Sequence, residues 1–195
     1  MKDWYLKQKY GLYLTLAYEG FNLPYDPTNR YEQTVGSPCV FSGGRQPRNI
    51  DDVADSFDVP RFIQDCVDMK VEYINLTLYH AHCYTLCPNK TLERLLPGHT
   101  SKRDLAREIL DGLHAHGIKL QFYMHATIGD SATDSEREIL GFTDSRDHYK
   151  RWNDFLNEFF GEIVARYPDV DSSSSSLTSH VREFPHVSDT YCTSG

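Results

Sequence analysis

Apolar side chains recur along this chain in two rhythms. Three short stretches, residues 11–17 (GLYLTLA), 71–78 (VEYINLTL) and 118–124 (IKLQFYM), are dense in Leu, Ile, Val, Tyr and Phe. They show no clean polar face, which predicts parallel strands buried on both sides. Each is followed by a polar or glycine-containing loop.

Between the strands the rhythm is helical. Asp58 can cap a helix whose apolar residues Val59, Phe62, Ile63, Cys66 and Val67 fall at i, i+3, i+4, i+7 and i+8, with Pro60 tolerated in the first turn and an end near Lys70. Ser101 followed by Asp104 resembles a capping box with Asp in place of Glu. It opens a helix whose buried face is Leu105, Ile109, Leu113 and His116 and which stops at Gly117. A third helix is predicted over 147–166, buried through Tyr149, Trp152, Leu156, Phe159, Ile163 and Val164 and closed by Pro168. Its aromatic density calls for a sheet surface to cover.

Strand, helix, strand, helix, strand, helix is the order of right-handed βαβ units, which open either a doubly wound sheet or a (β/α)₈ barrel. No G-x-G-x-x-G or P-loop follows any strand, and long loops after the strands suit a barrel's catalytic face. The fold expected is therefore α/β, the N-terminal portion of a (β/α)₈ barrel, with about three to four βα units.

The pattern breaks after Asp171. Where a fourth strand is due, the chain reads SSSSSLTSHVREFPHVSDTYCTSG, with neither strand nor helix period. Residues 1–171 are thus expected to form the partial barrel, and 172–195 an irregular, disordered Ser/Thr-rich tail. A sheet left open at its third strand exposes an edge, through which self-association is expected.

Composition narrows the partners. A formal charge of -8 over 195 residues, with Lys and Arg scattered, gives no general pull toward nucleic acid. The apolar run at 11–17 is too short for a signal core or a membrane span, and five irregularly spaced cysteines fit reduced thiols, so a cytoplasmic chain with no membrane partner is expected.

The candidate chemistry centres on NLTLYHAHCYTLCP, residues 75–88. His80 and His82 lie two apart, so on extended backbone both point the same way. One reading is a sugar site, in which neutral imidazoles bond adjacent hydroxyls while Tyr84 or Tyr123 stacks on the ring. A second is a metal-dependent hydrolase in which Cys83 with Cys87 or His125 completes a tetrahedral set. In a third, the histidines merely cap the strand. His125, past the third strand, and Tyr18 with Glu19, past the first, should emerge on the same barrel face. Cys39 and Cys66 read as small core or loop residues. His114 and His116 lie on a helix some 200° apart, so they share no site.

Three segments together resemble the α-L-fucosidase family of glycoside hydrolases. KYGLYLTLA, residues 9–17, is similar to that family's K-F-G-I-F-I-H-W-G, and VEYINLTLYHAHCYTLCPN, residues 71–89, to K-Y-V-V-L-T-A-K-H-H-D-G-F-x-x-W-P-S. SKRDLAREILDGLHAHGIKLQFYM, residues 101–124, resembles K-R-D-I-V-x-E-L-x-x-A-x-R-x-x-G-L-K-F-G-x-Y-Y. The resemblance implies a (β/α)₈ barrel, a fucose-containing glycan as substrate, no cofactor or metal, and retaining hydrolysis of terminal α-L-fucosides. That reaction uses an Asp nucleophile on the fourth strand and a second carboxyl group about 5 Å away. Matched onto this chain, the family's sugar-binding His falls on Thr15 and its Trp on Leu16. Of the paired histidines His80 is kept and Ala81 replaces the second, and the Trp before Pro falls on Cys87. The nucleophile position falls inside the serine run, which holds no Asp or Glu, while Asp169 and Asp171 precede the strand. The expectation is a fucosidase-like chain that is inactive as written, or a non-catalytic carbohydrate-binding relative.

Overall fold

The computed structural model describes residues 4, 7–16, 47–79, 83–124 and 132–171. They form a mixed α/β arrangement around a three-stranded parallel sheet: β1 (Gly11–Thr15), β2 (Tyr73–Tyr79) and β3 (Lys119–Met124), in the order β1-β2-β3. The helices described are α1 (Ile50–Ser56), α2 (Val59–Asp68), α3 (Lys90–Leu95), α4 (Leu105–Ala115), α5 (Asp134–Leu140) and α6 (Lys150–Arg166).

The strands lie where the apolar runs predict them. Their two faces differ, however, which corrects the expectation of burial on both sides. One face carries Leu12, Leu14, Ile74, Leu76, Leu120 and Phe122, which join the apolar sides of α1, α2, α4 and α6 in one hydrophobic cluster. Phe122 meets Tyr167 edge-on, with ring centroids 5.0 Å apart. A bulge between Thr77 and Tyr79 turns Tyr79 toward α6, where its ring lies 4.7 Å from that of Phe159. The other face carries Tyr13, Thr15, Asn75, Thr77, Gln121 and Tyr123, with Tyr13 56% exposed and Tyr123 37% exposed.

The helix signals resolve unevenly. Asp58 caps α2 by accepting the Arg61 N–H, as its position predicts, and Gly117 ends α4 at φ 72°. The cap of α4 is Asp104, which accepts the Arg107 N–H; Ser101 instead donates to the Arg103 carbonyl, so the expected Ser101 capping box is not formed. His116 is exposed at the helix end and does not belong to the buried face. The helix predicted over 147–166 starts at Lys150, because His148 and Tyr149 both adopt positive φ and follow a separate 3-10 turn at Ser145–Asp147.

At its far edge β3 is met by the end of α6's connection. The Asp171 N–H donates to the Leu120 carbonyl at 3.1 Å. Residues 172–195 lie outside the described residues.

Candidate functional site

Parallel register divides the polar face into three rows. Gly11, Tyr73 and Lys119 lie lowest, at the N-terminal end of the strands, and Tyr13, Asn75 and Gln121 come next. Thr15, Thr77 and Tyr123 form the uppermost row, at the strands' C-terminal ends. In a parallel α/β protein those ends carry the loops on which sites are built.

The upper two rows are neutral. Thr77 Oγ1 donates to the Tyr13 hydroxyl at 2.9 Å, and Thr15 Oγ1 lies 3.2 Å from Thr77 Oγ1. The Tyr13 and Tyr123 rings meet edge-on with centroids 5.7 Å apart. Asn75 Oδ1, in the middle row, is buried and has no hydrogen-bond partner among the described residues.

Beyond β2 a second cluster forms. Thr85 makes an antiparallel bridge to Tyr79 and a parallel one to Thr100, which brings His99 beside Tyr84. The two rings stack, 4.0 Å apart and within 5° of parallel. His99 Nδ1 lies 3.2 Å from the Cys83 carbonyl, and Nε2 lies 3.4 Å from Glu136 Oε1 at the start of α5. Burial pulls the His99 imidazole below its ordinary pKa, against the contrary pull of the Cys83 carbonyl and Glu136. Glu136 is fixed by its other oxygen, which accepts the Thr133 N–H at 2.6 Å in a capping box.

Cys66, Cys83 and Cys87 are buried. Burial pushes Cys83 and Cys87 each up to about 11, so neither is a thiolate near neutral pH. Among the described residues no group of three His, Cys, Asp or Glu is arranged to hold a metal ion. Cys66 is fully buried in the core, as its sequence context suggests.

The opposite end of the sheet holds the charge. Asp171 Oδ2 accepts the Leu120 N–H at 3.0 Å and lies 2.7 Å from His114 Nε2, while Oδ1 pairs with Lys119 Nζ at 2.9 Å. Burial would raise this carboxyl, but Lys119, the Leu120 N–H and His114 outweigh it and hold the group below its ordinary value. His114 thus contacts the Asp171 carboxylate, and His116 is exposed at the helix end.

Of the residues singled out from sequence, Tyr123 stands in the upper row and Tyr84 lies half-buried against His99. Tyr18, Glu19, His80, His82 and His125 lie outside the described residues, and with them the metal set. Tyr13, Thr15, Thr77, His99 and Glu136 join the site region beyond those choices. For the first three a signal exists in the sequence: polar atoms at alternate strand positions, the period of one sheet face.

No family model matches the sequence, and no curated protein matches it. Among solved structures, the chain is similar to an α-L-fucosidase from Bacteroides thetaiotaomicron, with a TM-score of 0.52 at 15% identity, covering 89% of this chain and 42% of that one. A bacterial fucosidase bound to a phenyl-triazole pyrrolidine inhibitor gives the same values, a TM-score of 0.52 and 15% identity over 89% and 42% of the two chains. At this identity the likeness is one of fold, and the chain spans less than half the length of these relatives.

Proposed function

We propose that residues 1–171 are the N-terminal portion of a (β/α)₈ barrel of α-L-fucosidase type, whose upper rim receives a fucose-containing glycan, and that residues 172–195 lie outside that barrel. The observation that carries this reading is the one-sided sheet. Apolar residues face the helices on one side, while the other side presents tyrosines, threonines and amides as a barrel interior does. A doubly wound sheet would cover both faces with helices. The fold likeness to two fucosidase structures agrees with this choice.

Hydrolysis with retention requires two carboxyl groups about 5 Å apart across the scissile bond. Asp171 is held at the lower end of β3 by Leu120, Lys119 and His114, away from the rim. The five serines that follow it supply no carboxylate. The polypeptide as written therefore binds a fucoside without cleaving it.

An aryl α-L-fucoside assay on the full chain tests this. No turnover is expected, together with binding of methyl α-L-fucoside that His80→Ala weakens. Turnover that responds to site mutations would overturn the inactivity, and absence of fucoside binding would overturn the substrate assignment.

A further inference from the structure

The His99 ring has an acceptor at each of its nitrogens. Nδ1 lies 3.2 Å from the Cys83 carbonyl, which can only accept, so this nitrogen carries a proton. In the neutral ring Nε2 is then a lone pair, and it faces Glu136 Oε1 at 3.4 Å. Two acceptors make no bond. The carboxylate is held in that position by its other oxygen, which takes the Thr133 N–H at 2.6 Å and the Thr133 hydroxyl at 2.9 Å. One proton between Nε2 and Oε1 turns the contact into a hydrogen-bonded ion pair.

The pair spans two connections. His99 belongs to the one after β2, where the Thr85 N–H donates to its carbonyl at 3.0 Å, and Glu136 stands in α5, the first described helix after β3. Both side chains are largely covered, at 12% and 13% exposure, so water screens them little. The titratable groups that bear on the ring are Glu136 from α5, Glu93 from α3, and Cys83 and Tyr84 from the connection after β2. Glu93 is taken up by the Gly98 N–H and the Thr100 hydroxyl, and Arg137, next to Glu136, bears on Cys83. The Cys83 thiol stays protonated and only its carbonyl takes part. Burial opposes the charged ring while Glu136 and Glu93 favour it. By linkage, what Glu136 adds to the proton affinity of the ring, the proton adds to the hold of the ring on Glu136.

We propose that His99 and Glu136 form a proton-operated clamp between the connection after β2 and α5, closed by uptake of one proton between Nε2 and Oε1 and relaxed by its loss. β2 and β3 are neighbours in the sheet, so the clamp lets acidity set how firmly two adjacent connections are held together. It concerns the scaffold and stands whether or not the ligand is a glycoside.

The test is nitrogen-15 NMR of the histidine rings in the full chain, titrated from about pH 8 to about pH 4, together with amide-exchange protection factors across α5. His99→Gln identifies the His99 signals by their loss. Glu136→Gln removes the charge and keeps the capping box, in which Gln serves as Glu does. Glu138→Gln, exposed on the same helix, is the control. Far-UV circular dichroism checks that each variant is folded. The neutral ring is expected to carry its proton on Nδ1. Glu136→Gln should weaken the proton affinity of His99 about three- to tenfold, with Glu138→Gln unchanged. The ratio of α5 protection in the parent to that in Glu136→Gln should rise by a similar factor as pH falls through the His99 midpoint. An unchanged midpoint in Glu136→Gln, or a neutral ring protonated on Nε2, overturns the pair. A midpoint that moves while the protection ratio stays flat overturns the clamp. If Glu136→Gln does not fold, the same ratio taken against His99→Gln decides, and a flat profile again overturns the clamp.

Discussion

The two ends of the central sheet are built from opposite chemistry. At the lower end the Asp171 carboxylate gathers the Leu120 N–H, Lys119 and His114, and its backbone is tied on both sides, by its N–H to Leu120 and by its carbonyl to Trp4 Nε1 at 3.2 Å. Around it Arg107 pairs with Asp169, and Arg166 and Tyr167 both reach Asp104. At the upper end are uncharged hydroxyls and two exposed tyrosines. Charge that finds all its partners inside the fold pins the chain, and exposed uncharged polar groups are left for something arriving from outside. A carboxylate at the end of a strand's connection can therefore serve the fold alone, which the pairing of Asp171 makes visible.

The largest effect expected from this contrast is on Asp171. Replacing it by Ala removes a side chain only 11% exposed and leaves the Leu120 N–H without its acceptor, Lys119 without its counter-charge and His114 Nε2 without its carboxylate contact. A loss of about 3 kcal/mol in unfolding free energy is expected, read from urea denaturation. A change below about 0.5 kcal/mol would mean that the lower end is not the anchored one.

The same carboxylate sharpens the contrast through pH. Its folded-state pKa is depressed, so the stability it contributes is fully present above the unfolded value of about 3.9 and is lost as pH falls through the lower folded value. Glu108 and Asp169, held down by Arg103 and Arg107, act in the same direction. Urea midpoints should fall below about pH 4, with a shallower fall in Asp171→Ala than in the parent. Parallel curves would show that Asp171 is not held by its cationic neighbours.

How much of this was legible beforehand depends on what each residue signals locally. The strands and the Asp58 cap were, because period and capping chemistry are properties of adjacent residues. The polar sheet face was masked by residue type, since Tyr and Thr favour strands and read as burial when they instead supply one exposed row. The helix α5 has a clear Thr133-x-x-Glu136 box and a Gly141 stop, yet its seven residues give less than two turns of apolar repeat. Nothing like Gly or Pro marks the positive φ at His148 and Tyr149 that delays α6. The Tyr84, His99 and Glu136 cluster joins three separate segments, so no local pattern could announce it.

Gly11 carries a smaller effect at the lower end. A Cβ there would lie 2.2 Å from the Tyr73 ring, which itself meets Trp4 edge-on at 6.1 Å. Gly11→Ala must displace the Tyr73 ring, and a loss of about 2 kcal/mol is expected from the shift of the urea midpoint. A neutral result would show that this row is as loosely built as the upper one.

Tyr13 should give the smallest change in stability, and that smallness is informative. Its ring stays in place in Tyr13→Phe, and its neighbour Thr77 loses one hydroxyl partner but keeps Thr15. The unfolding free energy should stay within about 0.5 kcal/mol of the parent, as for an exposed substitution. A stability loss as large as that of Gly11→Ala would instead make the hydroxyl chain part of the scaffold, and the distinction between a pinned lower end and a receptive upper end would disappear.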